Sequence, residues 1–290
     1  MMAQLLIAPV IIAPAAGLLW YNSRQNAQDD QVPTSFLLKT WALSGFLGPT
    51  IAAPVQLAIG WPFAKLLLGD RFDIYLKEMG RTEQSLKTLD RETLAARREI
   101  AFSLANFAGN VFMSTIAPLV EEILKYAALR IVEKYFPEKA RTKRNYVLIA
   151  MAAGLGFALA ENLAFISQGS SGETQARLAL TIIERGIAGT SGHFLTAALT
   201  GCKFAESRAS DGRRTGIWSI IKESLLYHGL GNFGLFTIST LYGNVGWVHP
   251  RDPVGIGAML AVVLSVNAMA AWSLVRNLNK MDDATRKKSS

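Results

Sequence analysis

Long apolar runs separated by short connections rich in Lys and Arg constrain this chain more than any other feature. The runs fall at about 1–21, 36–68, 101–130, 146–166, 178–203, 216–242 and 254–275. A bilayer crossing needs about 20 apolar residues, so roughly six to eight crossings would fill a chain of this length. The pattern predicts an all-α, polytopic transmembrane helical bundle with about seven membrane-spanning helices. Hydrophobic residues make up 50% of the chain, charged residues 18%, and mean hydropathy is +0.24, which excludes an ordinary soluble domain. The net charge of +8 does not point to nucleic acid, because the basic residues flank apolar runs as membrane topology requires. The lipid bilayer is the first expected partner, and the expected location is an integral, multi-pass position in a plasma membrane or endomembrane. A lone cysteine, Cys202, excludes an intramolecular disulfide and a thiolate-rich metal site. Chemistry must rest on carboxylates, histidines and amides.

Four regions are expected: N-terminal transmembrane helices at 1–68, a charged amphipathic surface segment at 69–99, a helical core at 100–275 and a basic tail at 276–290. Residues 1–21 end in Trp20 and Tyr21, which suit the membrane interface, and read as a signal anchor; a cleaved signal peptide with a small-residue site near Ala13 to Gly17 is the alternative. Pro49, Pro54 and Pro62 interrupt the run at 36–68, which is read as one kinked crossing. Segment 69–99 holds seven basic and seven acidic residues around leucines and reads as one or two surface helices. The basic connections at 131–145 and 203–215 and the tail put the C-terminus in the cytoplasm. Seven crossings then place 69–99 outside despite its basic residues. A hairpin within 36–68, a break at Pro118, or translocation of a charge-balanced segment would each resolve that conflict.

Ionisable groups at membrane depth are expensive and are functional by default. The sequence APLVEEILK puts Glu121, Glu122 and Lys125 inside an apolar run. The two carboxylates point about 100° apart on a helix, and Lys125 can pair with either. In GLGFALAEN, Phe157 and Glu161 share a face and Asn162 adds an amide. Glu161 has no local cation, and reads as a metal ligand, as a second carboxylate for water activation, or as a structural hydrogen-bond partner for another helix. Gly189, His193, Ala197 and Gly201 recur every four residues, a small-residue stripe that aims the imidazole into a helix contact. Glu184 and Arg185, two turns earlier, read as interface anchors or an ion pair. In LYHGLGNF, His228 and Asn232 lie on one face and can donate to a developing oxyanion. His249 precedes Pro250 and reads as a solvated bystander. A transporter or proton-coupled channel would also place such groups at mid-membrane, but the chain shows no internal repeat. A nonenzymatic membrane scaffold would have no need of four polar motifs.

In this order and on successive apolar helices, APLVEEILK, FALAEN, GHFLTAALTG and LYHGLGNF resemble the PrsW family of intramembrane proteases, over about residues 101–242. The pattern is more distantly similar to the CAAX prenyl protease and Abi superfamily, with Lys125 one residue earlier than that superfamily's arginine and Glu161 in place of its histidine. The resemblance implies an intramembrane endopeptidase acting on membrane-anchored protein substrates. Glu121 and Glu122 match the family's paired glutamates, and His193 and His228 its histidines. One expectation is metal-free: Glu121 or Glu122, helped by Glu161 and His193, activates water while His228 and Asn232 stabilise the oxyanion. In the other, Glu161, His193 and His228 hold Zn2+ and Glu122 is the base.

Overall fold

The apolar runs become helices in the computed structural model, which describes residues 12–24, 31–79, 88–136, 142–169, 175–209, 215–246 and 252–289. In chain order the helices are α1 (Ala13–Ser23), α2 (Thr34–Leu68), α3 (Phe72–Met79), α4 (Arg91–Ala101), α5 (Leu104–Tyr135), α6 (Lys143–Gly169), α7 (Gln175–Glu184), α8 (Thr190–Ala209), α9 (Ile217–Leu241) and α10 (Pro253–Ser289). A 3-10 turn occupies Gly69–Arg71, and a π turn, Arg185–Gly189, separates α7 from α8. The protein is an all-α, multi-pass integral membrane protein. Among the described residues, four stretches are long and apolar enough to cross a bilayer: Thr34–Glu78, Leu104–Tyr135, Lys143–Ser167 and Pro253–Met281.

The expectation of about seven crossings exceeds these four for a physical reason. The π turn cuts the run at 178–203, and α8 carries Thr190, Ser191, His193, Thr196, Thr200 and Lys203, which dilute its apolarity. Helix α9 is long enough but includes Lys222, Glu223 and His228. The described helix at the first run is Ala13–Ser23, and residues 1–11 lie outside the described residues, so the anchor reading of 1–21 falls partly outside them. The run at 36–68 is part of one 35-residue helix and not a hairpin, and α5 continues through Pro118 for 32 residues. Segment 69–99 contains α3 and α4, with 80–87 outside the described residues.

The chain divides into two units, whose boundaries fall inside helices. The first comprises 1–52, 119–228 and 267–290. Its core gathers Leu37, Leu129, Phe136, Ile149, Leu199, Phe204 and Ile220. Helices α6 and α8 pack most closely because glycine opens the contact from both sides. A Cβ on Gly154 would lie 2.7 Å from the Ala197 methyl and against the His193 carbonyl, and one on Gly201 would lie 2.7 Å from the Ala150 methyl. Helix α2 joins through a stripe of Thr40, Ser44, Gly48 and Ala52. The Asn22 side chain clasps Val32 in both directions, accepting its N–H at 3.0 Å and donating to its carbonyl at 2.8 Å. Helix α10 is tied to α9 by Ser273 and Asn277, which both donate to Glu223, and to α8 by Lys203, which donates to Asn277 at 3.0 Å.

The second unit comprises 53–118 and 229–266. Phe63 stacks on Phe112 with centroids 3.6 Å apart, and Ile100, Ala101 and Val245 form a small core beside Tyr75. Arg97 is buried and paired with Glu78 at 2.8 Å, so the amphipathic helices α3 and α4 are joined by a desolvated ion pair. Asp90 caps α4, accepting the Thr93 N–H at 2.7 Å.

Candidate metal centre

Helices α5, α6, α8 and α9 of the first unit bring their ionisable side chains to one place. Glu121, Glu122, Lys125 and His193 are buried, and His228 is nearly so, its side chain 14% exposed. The two consecutive glutamates do different things, as their 100° separation requires. Glu122 accepts Lys125 Nζ at 2.5 Å and His228 Nδ1 at 2.9 Å, both on Oε1. Lys125 also donates to Thr196 Oγ1 at 3.3 Å and lies over the Phe157 ring, 5.4 Å from its centroid. Phe157 shields the lysine and also packs on His193, with ring centroids 5.1 Å apart. Glu121 instead faces the histidines, its Oε2 being 3.5 Å from His228 Nε2.

Glu161 holds the second histidine, with His193 Nε2 at 2.9 Å from its Oε2. The same oxygen receives Arg185 Nη2. Arg185 Nε donates to Asn162 Oδ1 at 3.1 Å, and Asn162 Nδ2 donates to Thr190 Oγ1 at 3.0 Å. The π turn thus enters the site, although in the sequence Arg185 reads as an anchor or pairing residue near the interface. A charge followed by Gly186 and Gly189 in an apolar run was the available signal. Asn232 follows His228 by one turn on α9, in the part assigned to the second unit. His249 lies outside the described residues.

An ionised carboxylate only accepts hydrogen bonds, so a neutral histidine beside one must donate. His228 then carries its proton on Nδ1 toward Glu122, and His193 on Nε2 toward Glu161. The opposite nitrogens are left with lone pairs. His193 Nδ1 is buried and has no hydrogen-bond partner among the described residues. One ligand atom from each of Glu121, His193 and His228 lies within 4.8 Å of the others, and the two imidazoles meet edge to face with centroids 5.1 Å apart. Two imidazoles and a carboxylate, each imidazole oriented by a carboxylate on its far nitrogen, make a donor set suited to a divalent metal. This grouping takes Glu121 where the sequence reading has Glu161, because Arg185 and His193 Nε2 already occupy Glu161.

Residues 91–272, which contain every one of these side chains, match the family described as PrsW family intramembrane metalloprotease. The chain belongs to this family. No curated protein and no solved structure matches it. The PrsW match covers α4 to α9 whole and most of α10, so it includes both units in part.

Proposed function

We propose that this PrsW-family chain is a metal-dependent intramembrane endopeptidase that cleaves membrane-anchored protein substrates, with Glu121, His193 and His228 holding the metal. The convergence of these three ligand atoms within 4.8 Å, in a buried site, carries the reading. Two nitrogens and a carboxylate oxygen suit zinc. A metal held by three side chains supplies a Lewis acid and an activated water at neutral pH.

The chain's own residues do the orienting. Glu122 fixes the His228 tautomer so that Nε2 faces Glu121, and Lys125 holds Glu122 in place. Glu161 does the same for His193, presenting Nδ1. Because Glu122 is bound to an ammonium and Glu161 to a guanidinium, both act as positioning groups. Assignment of Asn232 to the oxyanion rests on its helical phase with His228. Within the same unit, a cavity of about 700 Å³ lined largely by apolar side chains, among them Leu148, Met151, Leu155, Ile187 and Phe194, is suited to an apolar peptide segment. The basic connections and tail are assigned to the cytoplasmic face, and 100–275 to the protease core.

A metal-free reading has one observation in its favour, the 3.5 Å approach of Glu121 Oε2 to His228 Nε2. There Glu121 would activate the water directly. Cleavage of transmembrane peptides by reconstituted protein, after chelation and after return of Zn2+, separates the two. Loss on chelation and recovery with zinc is the expected result. Full turnover in chelator would favour the glutamic pair.

A further inference from the structure

From the geometry of the π turn we infer that Arg185 is a positioning residue, acting through Glu161 to hold His193 in the tautomer and orientation that the active centre needs. The inference rests on the His193 assignment above and extends it to a side chain outside the motifs read from the sequence.

Three features of the turn select this arginine. The backbone is wound as a π turn, which shifts the helix by a residue and brings the Arg185 carbonyl within reach of side chains. That carbonyl accepts the Thr190 N–H and also Asn162 Nδ2 at 3.1 Å, so the backbone of the turn is fastened to α6. Gly189 leaves the necessary space, because a Cβ there would stand 2.9 Å from Asn162 Oδ1 and 3.4 Å from the Arg185 guanidinium carbon. The guanidinium then lies over the Phe165 ring, its carbon 4.1 Å from the centroid, with Nε on Asn162 and Nη2 on Glu161. The ring contact and the two donors of the fork together hold the guanidinium, a combination that lysine lacks.

The consequence falls on His193. An ionised Glu161 demands a donor from Nε2 and so leaves Nδ1 as the lone pair. Without the guanidinium, Glu161 would lose the donor that aims its Oε2 at His193, and His193 would lose its fixed orientation and tautomer. Arg185 contributes to the centre by keeping Glu161 aimed at His193.

The test uses full-length, metal-free protein labelled with 15N-histidine and held at a single mildly alkaline pH. The chain has only three histidines, so variants at His228 and His249 assign the spectrum. Wild type should show His193 with a protonated Nε2 and an unprotonated Nδ1. Arg185→Gln should merge these toward an averaged pair, and Arg185→Lys should retain part of the separation. Cobalt(II) titration should show Arg185→Gln binding about 10–100-fold more weakly, the usual cost of losing an outer hydrogen-bond partner. Ile183→Gln, at an exposed position on α7, is the control for general damage. An unchanged His193 tautomer in folded Arg185→Gln overturns the inference, whatever its melting temperature. If Arg185→Gln does not fold, Arg185→Lys decides: a wild-type tautomer and wild-type cobalt affinity together overturn it. If wild type takes up no cobalt, the metal reading fails and the nitrogen spectra alone decide the role of Arg185.

Discussion

Glu122 receives the Nδ1–H of His228 on the same oxygen that meets Lys125, at 2.9 Å and 2.5 Å, with no exposed surface of its own. Removing one partner of a buried pair strands the other charge, at about 3–5 kcal/mol. Glu122→Gln and Lys125→Met should each lower the melting temperature in detergent, and the double variant should recover much of the loss. Activity should not recover, because His228 still lacks its charged acceptor. Additive melting losses in the double variant would show that the pair is uncoupled.

Glu121→Gln should behave differently from Glu122→Gln. Glu121 faces the two imidazoles, so its amide should abolish tight metal binding and cleavage with little effect on stability. Metal content per chain, measured after gel filtration, should fall from one equivalent to near zero in Glu121→Gln and in His193→Ala. Retention of a full equivalent in both variants would remove these residues from the ligand set.

The division of labour between the glutamates is where sequence reading stops. A carboxylate in an apolar run is conspicuous because the bilayer makes it costly, which is why Glu121, Glu122, Glu161, His193 and His228 can be singled out in advance. Consecutive residues on a helix share that cost, however, and the rotation of α5 about its axis depends on packing that no single helix encodes. Arg185 was harder to place. On a regular helix, residues eight apart differ in direction by about 80°, and the π turn changes that phase without a proline to announce it. In α2 three prolines leave open a single kinked crossing or a crossing plus a turn, and the helix continues through all three in keeping with the single crossing, since neighbouring groups in a membrane protein can satisfy the freed carbonyls.

Filling the apolar cavity should raise KM more than it lowers kcat. Met151 lines that space on α6, and Met151→Trp would occupy much of it. If the cavity receives an apolar segment of the substrate, KM should rise about tenfold, the loss of uniform binding. Unchanged KM with a normally folded variant would place substrate binding elsewhere.

Asp90 gives α4 a pH dependence of known sign. The Thr93 backbone N–H and hydroxyl hold its carboxyl below the usual carboxylate value. A lowered folded value means that the cap's contribution is present above the unfolded pKa of about 3.9 and is lost as pH falls through the lower folded value. Amide exchange in α4, corrected for intrinsic rates, should therefore be level between about pH 5 and 8 and quicken below about pH 4. Asp90→Asn should retain the cap and lose the acid-side change, and an identical profile in both proteins would refute the assignment.

Gly154 links the α6–α8 contact to the metal centre. A Cβ at this position would meet the backbone carbonyl of His193 itself and the methyl of Ala197 at 2.7 Å, so Gly154→Ala must push α8 away at a residue proposed as a ligand. Overpacking of this kind costs about 1–3 kcal/mol. Gly109 on α5 has nothing within 4 Å of such a Cβ, so Gly109→Ala removes a helix-weakening glycine without strain and should leave stability equal or slightly higher. The decisive comparison is metal affinity. Displacing the His193 backbone separates its Nδ1 from Glu121 and His228, so Gly154→Ala should bind cobalt(II) at least tenfold more weakly while Gly109→Ala matches wild type. Equal affinities, together with a lowered melting temperature for Gly154→Ala, would show that the helix contact can yield without disturbing the ligands.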